Sequence, residues 1–117
     1  MLKILTPDFV FGDERGTLVQ LLHDRCSQVN IVTSVAGAFR GGHYHKINTE
    51  IFYVISGEMN VTVSRDGKEE SYTFTQGDMF EIEPYVVHSF DYTKDSMLAV
   101  MYDKGVVFED GSKDIYT

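Results

Sequence analysis

Short β-rich segments separated by turn signals run through the whole chain of 117 residues, and they constrain its fold more than any other feature. None of these segments has a convincing helical period. About eight to ten short strands with short connections predict an all-β domain, a small sandwich or barrel of which the jelly roll is one form. The predicted strands are residues 17–22, 28–36, 50–57, 58–65, 70–75, 79–82, 88–92 and 96–103.

Two of these strands predict how the domain is built. Met59, Val61 and Val63 alternate with polar residues, which indicates a strand with one buried face. The segment 50–56 is instead apolar at both parities, so both of its faces must be covered. We favour a second subunit as the cover of the second face, with a second sheet of the same chain as the alternative. A homodimer is therefore expected.

Composition limits the classes of function. The length suits one domain spanning residues 1–117. No apolar run is long enough to cross a membrane, and residues 1–16 do not resemble a signal peptide, so a cytoplasmic protein is expected. Ten basic against 18 acidic side chains disfavour nucleic acid and anionic membranes as partners. A small anionic ligand still fits a chain that gathers its few cations in one pocket.

Four side chains form the candidate site. His43 and His45 are two residues apart, so they point to the same face of a strand. A short connection then turns the chain back to Glu50, and His88 begins another predicted strand. Three imidazoles and one carboxylate can bind a first-row transition metal and leave positions open for water or substrate. A pair of catalytic bases, or a polar pocket lining without metal, is the alternative.

The spacing of these residues resembles the two motifs of the cupin superfamily. The pattern Gly37-x5-His43-x-His45-x4-Glu50-x6-Gly57 resembles the first motif, and Gly77-x10-His88 resembles the second. The resemblance implies a single small cupin domain, a double-stranded β-helix or jelly-roll barrel. It also implies that His43, His45, Glu50 and His88 hold one divalent transition metal, for which Zn, Fe, Mn, Ni and Cu are all suitable.

Two stretches resemble a narrower group of cupins. Residues 13–18 (DERGTL) and 39–46 (FRGGHYHK) are similar to segments of dTDP-sugar 3,5-epimerases and 3,4-ketoisomerases. They also resemble the cupin domain of bifunctional capsular polysaccharide enzymes, whose reductase domain is not among these residues. The resemblance implies an epimerase or isomerase of a nucleotide-linked keto-sugar in polysaccharide biosynthesis. A small-molecule-binding or sensing cupin, or a metal-dependent dioxygenase of another small molecule, is the alternative.

Keto-sugar chemistry needs a base and a cation. Protons next to a ketone are acidic because the anion delocalises into an enolate, which a cation near the carbonyl oxygen stabilises. Arg40 can bind a diphosphate or polarise the carbonyl, and Lys46 and Arg15 are the other candidate substrate-binding residues.

The proton carrier depends on whether a metal is bound. A metal-bound nitrogen of His43 cannot accept a proton, so His43 is either a ligand or a base. With metal, the carrier is sought among Tyr44, Tyr53, Tyr92 and Tyr102 or a metal-bound water. The candidate catalytic residues are His43, Tyr44 and Tyr102.

The carboxylate at position 50 favours a metal-bound site over a metal-free one. The ketoisomerases that the chain resembles tend to carry an amide at this position and to work without metal, whereas the capsular cupins carry a carboxylate. A carboxylate facing two imidazoles holds them protonated and poorly basic unless a cation lies between them. The last segment, residues 103–117, is acidic with one apolar patch, and we expect an ordered extension rather than a swapped strand, a dimer arm or a lid.

Overall fold

The computed structural model describes residues 1–117 and contains eleven β-strands. No helix is present that is long and apolar enough to cross a membrane. The strands are β1 (Leu2–Leu5), β2 (Phe9–Asp13), β3 (Gly16–Gln20), β4 (Gln28–Ser34), β5 (Phe39–His43), β6 (Glu50–Ser56), β7 (Glu58–Arg65), β8 (Lys68–Thr75), β9 (Met79–Ile82), β10 (Val87–Tyr92) and β11 (Ser96–Tyr102).

The strands form three antiparallel sheets. A five-stranded sheet has the order β1-β9-β6-β11-β4, and a four-stranded sheet has the order β5-β10-β7-β8. One core of 15 buried residues takes side chains from both sheets, which therefore pack face to face. Strands β2 and β3 form a separate hairpin. The prediction of an all-β jelly roll is confirmed.

The alternation of apolar and polar residues along the strands determines which side chains form the core. Met59, Val61 and Val63 on β7 are fully buried, as their pattern predicts. Across the interior, Phe80 on β9 stacks on Phe52, with ring centroids 4.9 Å apart. These side chains fill the space between the sheets and leave the barrel end near Glu50 for polar groups.

The second face of β6 is covered differently from our expectation. Ile51 is buried in a small cluster on the outer face of the five-stranded sheet, against Met79 and Met101. Leu21 and Leu22, which follow β3 in the same chain, pack against this cluster. The same chain therefore covers Ile51, and our preference for a second subunit is corrected at Ile51, whereas Ile55 on the same face is exposed and the homodimer stays a prediction.

Three strands escaped the sequence prediction: β1, β2 and β5. Strand β5 contains Gly41 and Gly42, which have little intrinsic preference for a strand. It forms because it pairs with β10, and the register shifts between His88 and Ser89. A Cβ at Gly41 would overlap Ser89, so only glycine lets the two strands come this close.

Two turns have backbone angles that suit the residues found in them. Asp66 and Gly67 join β7 to β8 with φ angles of 54° and 80°, as a tight hairpin requires. Gly57, between β6 and β7, has a φ of 98°, and a Cβ there would overlap Ser96. The conformation and the lack of space both require glycine at position 57.

Candidate functional site

Both large sheets contribute to the candidate site. His88 on β10 lies directly opposite His43 on β5 in the four-stranded sheet. In the facing sheet, Glu50 begins β6 and lies directly opposite Tyr102 on β11. His45 lies two residues beyond the end of β5, so β5 does not carry both histidines as predicted. The site therefore forms where the ends of the two sheets meet.

Three of the four predicted ligands come together as one buried cluster. The Nε2 atom of His45 lies 3.0 Å from Oε1 of Glu50, and Nε2 of His88 lies 3.3 Å from the same oxygen. The candidate ligand atoms of the three residues all lie within 4.8 Å of one another. This spacing is short enough for one metal ion to reach all three.

Backbone carbonyls fix both imidazoles of the cluster. The Nδ1–H group of His45 donates to the carbonyl oxygen of Asp114 at 2.5 Å, and that of His88 donates to the carbonyl of Val86 at 3.1 Å. Since a carbonyl can only accept, Nδ1 of each ring can donate this hydrogen bond while Nε2 is left to bind a metal. Metal-binding histidines in proteins are oriented by hydrogen bonds of this kind.

Both Nε2 atoms then face one carboxylate oxygen. A lone pair directed at a carboxylate is repulsive, so a positive charge is needed between them, either a proton or a metal. Burial lowers the pKa of His45, but the hydrogen bond and charge of Glu50 outweigh it, and the pKa is raised. Burial lowers the pKa of His88 despite the charge of Glu50. These opposite shifts favour His45 over His88 as the ring that takes a proton when no metal is bound.

His43 lies beside this cluster and outside it. Its ring centroid is 5.5 Å from that of His88, with the rings nearly perpendicular. The side chain is half-buried and lines the same cavity as Glu50 and His88. This position suits either of its two predicted roles, fourth ligand or base.

Glu50 and His88 of the cluster line a cavity of about 160 Å³, whereas His45 does not. Burial and the nearby Glu50 carboxylate raise the pKa of Tyr102, so its phenol stays protonated at neutral pH. Burial likewise raises the pKa of Tyr92. The polar lining is Arg40, His43, Glu50, His88, Tyr92 and Tyr102, and the apolar lining is Val32, Phe52, Phe90, Leu98 and Val100.

Arg40 is exposed on the rim of this cavity. Its Nε donates to Oγ of Ser34 at 2.9 Å, and its Nη2 donates to the carbonyl of Thr33 at 3.2 Å. Both acceptors are neutral, and no carboxylate forms an ion pair with the guanidinium. Its positive charge is therefore available to a ligand.

Among the predicted catalytic and substrate-binding residues, Arg15, Tyr44 and Lys46 lie outside the cavity, as does the candidate proton carrier Tyr53. Arg15 lies in the turn between β2 and β3, with its Nη2 2.6 Å from a carboxylate oxygen of Asp13. Tyr44 stacks on Tyr116, with ring centroids 5.6 Å apart, and Nζ of Lys46 lies 4.1 Å from the centroid of the Tyr116 ring. None of these side chains lines the cavity with Glu50 and His88.

Sequence reasoning missed Asp114. This residue lies 64 positions from Glu50 in an acidic tail, and nothing in its local sequence marks it. The structure buries it completely beneath the connection between His45 and Glu50.

Known proteins match the chain in sequence and in fold. The model of the family described as polysaccharide biosynthesis C-terminal domain matches residues 11–116. A curated relative, UDP-2-acetamido-2,6-beta-L-arabino-hexul-4-ose reductase from Pseudomonas aeruginosa, is 47% identical over 47 residues. That match covers 39% of this chain and 13% of the relative, so the chain spans a small part of the curated protein.

Two solved structures show the same fold. A variant of the 3,4-ketoisomerase from Thermoanaerobacterium thermosaccharolyticum, in complex with TDP-4-keto-6-deoxyglucose, has a TM-score of 0.82 at 16% identity, over 98% of this chain and 86% of that one. The dTDP-4-dehydrorhamnose 3,5-epimerase from Sulfolobus tokodaii has a TM-score of 0.74 at 23% identity, over 86% and 69%. Since the family model spans nearly the whole chain, the chain belongs to the polysaccharide biosynthesis C-terminal domain family.

Proposed function

We propose that this chain is an epimerase or isomerase of a nucleotide-linked keto-sugar in polysaccharide biosynthesis, with one divalent transition metal in its site. One observation carries the proposal. Two members of the buried cluster, Glu50 and His88, line one cavity. The half-buried imidazole of His43 and the guanidinium of Arg40, which has no ion-pair partner, line the same cavity. A base, a Lewis-acid site and an anion-binding group are the parts that such a reaction needs.

The relatives support the class of substrate. The ketoisomerase was solved with a TDP-linked 4-keto sugar, and the epimerase is named for a dTDP-linked 4-dehydro sugar. The curated relative is named as a reductase of a UDP-linked hexul-4-ose. A ketone next to a C–H bond on a nucleotide-linked sugar is common to all three, and we propose it for this chain.

The donor set of the cluster fits a divalent transition metal. Two imidazole nitrogens held by carbonyls and one carboxylate oxygen are ligands that Zn, Fe, Mn, Ni and Cu all accept. His45, Glu50 and His88 would hold the ion. A metal bound there would supply Lewis-acid polarisation of the substrate carbonyl.

His43 is our candidate for the base. It lies on the cavity beside the three-residue cluster, so its nitrogens need not be used as ligands. Its imidazole would remove the proton from the carbon next to the ketone and, for an isomerase, deliver it to the former carbonyl carbon of the enediol. An epimerase would instead need a second group to donate a proton to the opposite face of the enolate. Tyr102, whose raised pKa keeps the phenol protonated, would donate a hydrogen bond and not act as a base.

The cavity volume suggests which part of the substrate lies inside the cavity. About 160 Å³ is below the usual range of sites that enclose a drug-sized ligand. We propose that only the keto-sugar ring enters the cavity and that the diphosphate remains at the rim. Arg40 lies there with a free positive charge and a planar guanidinium that suits phosphate oxygens.

The proposal predicts proton exchange with solvent. In D₂O the protein is expected to incorporate deuterium next to the ketone of a dTDP- or UDP-linked 4-keto-6-deoxy sugar, as measured by NMR and mass spectrometry. His43→Gln is expected to lower the exchange rate by about 10²- to 10⁴-fold, the usual contribution of a general base. Arg40→Ala is expected to act mainly on KM. His23→Gln, at an exposed histidine away from the cavity, is the matched control.

Other outcomes separate the alternatives. No exchange with either nucleotide sugar would contradict the proposal. Oxygen consumption by an iron-loaded sample would then favour a dioxygenase, and tight binding of a sugar nucleotide without reaction would favour a sensor. An unchanged exchange rate in His43→Gln would show that the reaction occurs but that His43 is not its base.

A homodimer and a cytoplasmic location stay predictions. The β2–β3 hairpin exposes Phe9, Phe11 and Leu18, which are about half accessible to solvent in one chain. A two-stranded hairpin that exposes apolar side chains gains stability when another surface covers it. We propose that a second copy does so, and sedimentation equilibrium distinguishes the dimer from a monomer.

A further inference from the structure

We infer that Asp114 is a positioning residue of the site: together with the last segment of the chain, residues 106–116, it holds the imidazole of His45 in its ligating orientation. The inference rests on the proposed metal cluster, whose ligands His45 and Glu50 flank the connection that Asp114 contacts. It gives the last segment of the chain a role in the site.

The side chain of Asp114 organises that connection. Its Oδ1 accepts from the backbone N–H of Lys46 at 2.8 Å. Its Oδ2 accepts from the N–H groups of Ile47 and Asn48, both at 3.0 Å, and from Nδ2 of Asn48 at 2.9 Å. One buried carboxylate thus satisfies three successive backbone donors, which would otherwise be partly or wholly buried without a partner.

The backbone of the same residue fixes the ring of His45. The carbonyl oxygen of Asp114 accepts the Nδ1–H of His45, and this bond directs Nε2 at Glu50. The side chain and the backbone of one residue therefore set the path of the connection and the rotation of the imidazole. A change that displaces Asp114 moves both.

Contacts on either side hold Asp114 in place. Its N–H donates to the carbonyl of Val106 at 2.8 Å, and the backbone of Tyr116 exchanges two hydrogen bonds with that of Tyr44, at 2.9 and 3.0 Å. The Tyr116 ring stacks on Tyr44. These bonds fasten the segment to the chain on both sides of the His45 contact.

The test compares Asp114→Asn with Asp110→Asn. Asparagine has nearly the shape of aspartate, but its NH₂ group replaces one acceptor oxygen and faces a backbone donor. Asp110 lies in the same segment, is exposed and accepts bonds only from Ser112, so its variant makes the same charge change away from His45.

Two measurements report on the position of His45. In metal-free protein, NMR should show nuclear Overhauser contacts between the rings of His45 and Tyr102, whose centroids lie 5.6 Å apart, in the wild type and in Asp110→Asn. Asp114→Asn is expected to weaken or lose these contacts. Its affinity for Zn²⁺, measured by competition with a chromophoric chelator, is expected to fall by about 10- to 100-fold, as for other groups that orient metal ligands.

The measurements distinguish a failure of this inference from a failure of the proposed function. Unchanged NMR contacts of His45 and an unchanged Zn²⁺ affinity in Asp114→Asn would overturn the inference and leave the proposed function intact. If the wild type binds no metal, the metal site fails, and the NMR contacts of His45 alone decide the inference. If Asp114→Asn loses its NMR dispersion, Tyr116→Ala is judged by the same criteria, since it removes the ring that stacks on Tyr44 and lies under Lys46 but leaves the Asp114 carboxylate in place.

Discussion

Glu50→Gln is expected to lower the affinity of the site for a divalent transition metal by more than about 100-fold. Replacing groups that only orient metal ligands costs about 10- to 100-fold, and Glu50 is itself a candidate ligand at the centre of the cluster. The amide removes the negative charge that faces His45 and His88 and replaces it with a weaker donor. Elemental analysis of the purified protein, with a competition titration of Zn²⁺, measures the change.

Glu69→Gln is the matched control, because Glu69 is exposed on β8 and its substitution makes the same change in charge. This variant is expected to bind metal as the wild type does. Wild-type protein that contains no metal after purification and binds no Zn²⁺ in the titration would contradict the ligand assignment of His45, Glu50 and His88. Deuterium exchange that persists in a metal-free Glu50→Gln variant would show that the reaction proceeds without the ion.

Phe80→Ala is expected to lower the free energy of unfolding by about 3–5 kcal/mol, as for other buried phenylalanines. The side chain is fully buried at the centre of the core. Its ring stacks on Phe74 and Phe52, with centroids 4.0 and 4.9 Å away, so truncation leaves a cavity that neither ring can fill without losing its own packing. Urea denaturation followed by circular dichroism gives the difference.

Phe39→Ala is the control for this substitution. Phe39 begins β5 and is 61% exposed, so its truncation is expected to change stability by only about 0.5 kcal/mol. Domains of this size are stable by about 5–15 kcal/mol in total, so the loss at Phe80 would remove a large part of that stability. Equal effects of the two substitutions would show that the aromatic stack is not the centre of the core.

Much of the fold could be predicted from local patterns. Met59, Val61 and Val63 are buried because alternation along a strand directs every second side chain to one face. Asp66 and Gly67 form the predicted hairpin because both accept positive φ. Strand β5 could not be predicted in this way, since Gly41 and Gly42 become a strand only through pairing with β10.

The candidate site could likewise be predicted only in part from the sequence. The spacing of His43, His45, Glu50 and His88 marks these residues as candidates for one site. Tertiary structure adds that Glu50 Oε1 is shared by His45 and His88 and that His43 lies beside them. It also leaves Arg15, Tyr44 and Lys46 outside the cavity, although Tyr44 and Lys46 are next to the candidate histidines in sequence.

The sequence by itself determined an all-β chain with a histidine and carboxylate motif, because alternation, turn residues and motif spacing are local properties of the chain. Only the tertiary structure decided which side chains share one cavity. That depends on the register between β5 and β10, on the meeting of two sheets, and on a buried Asp114 far from Glu50 in sequence. Contacts between distant segments depend on pairing and packing, and no local pattern records them.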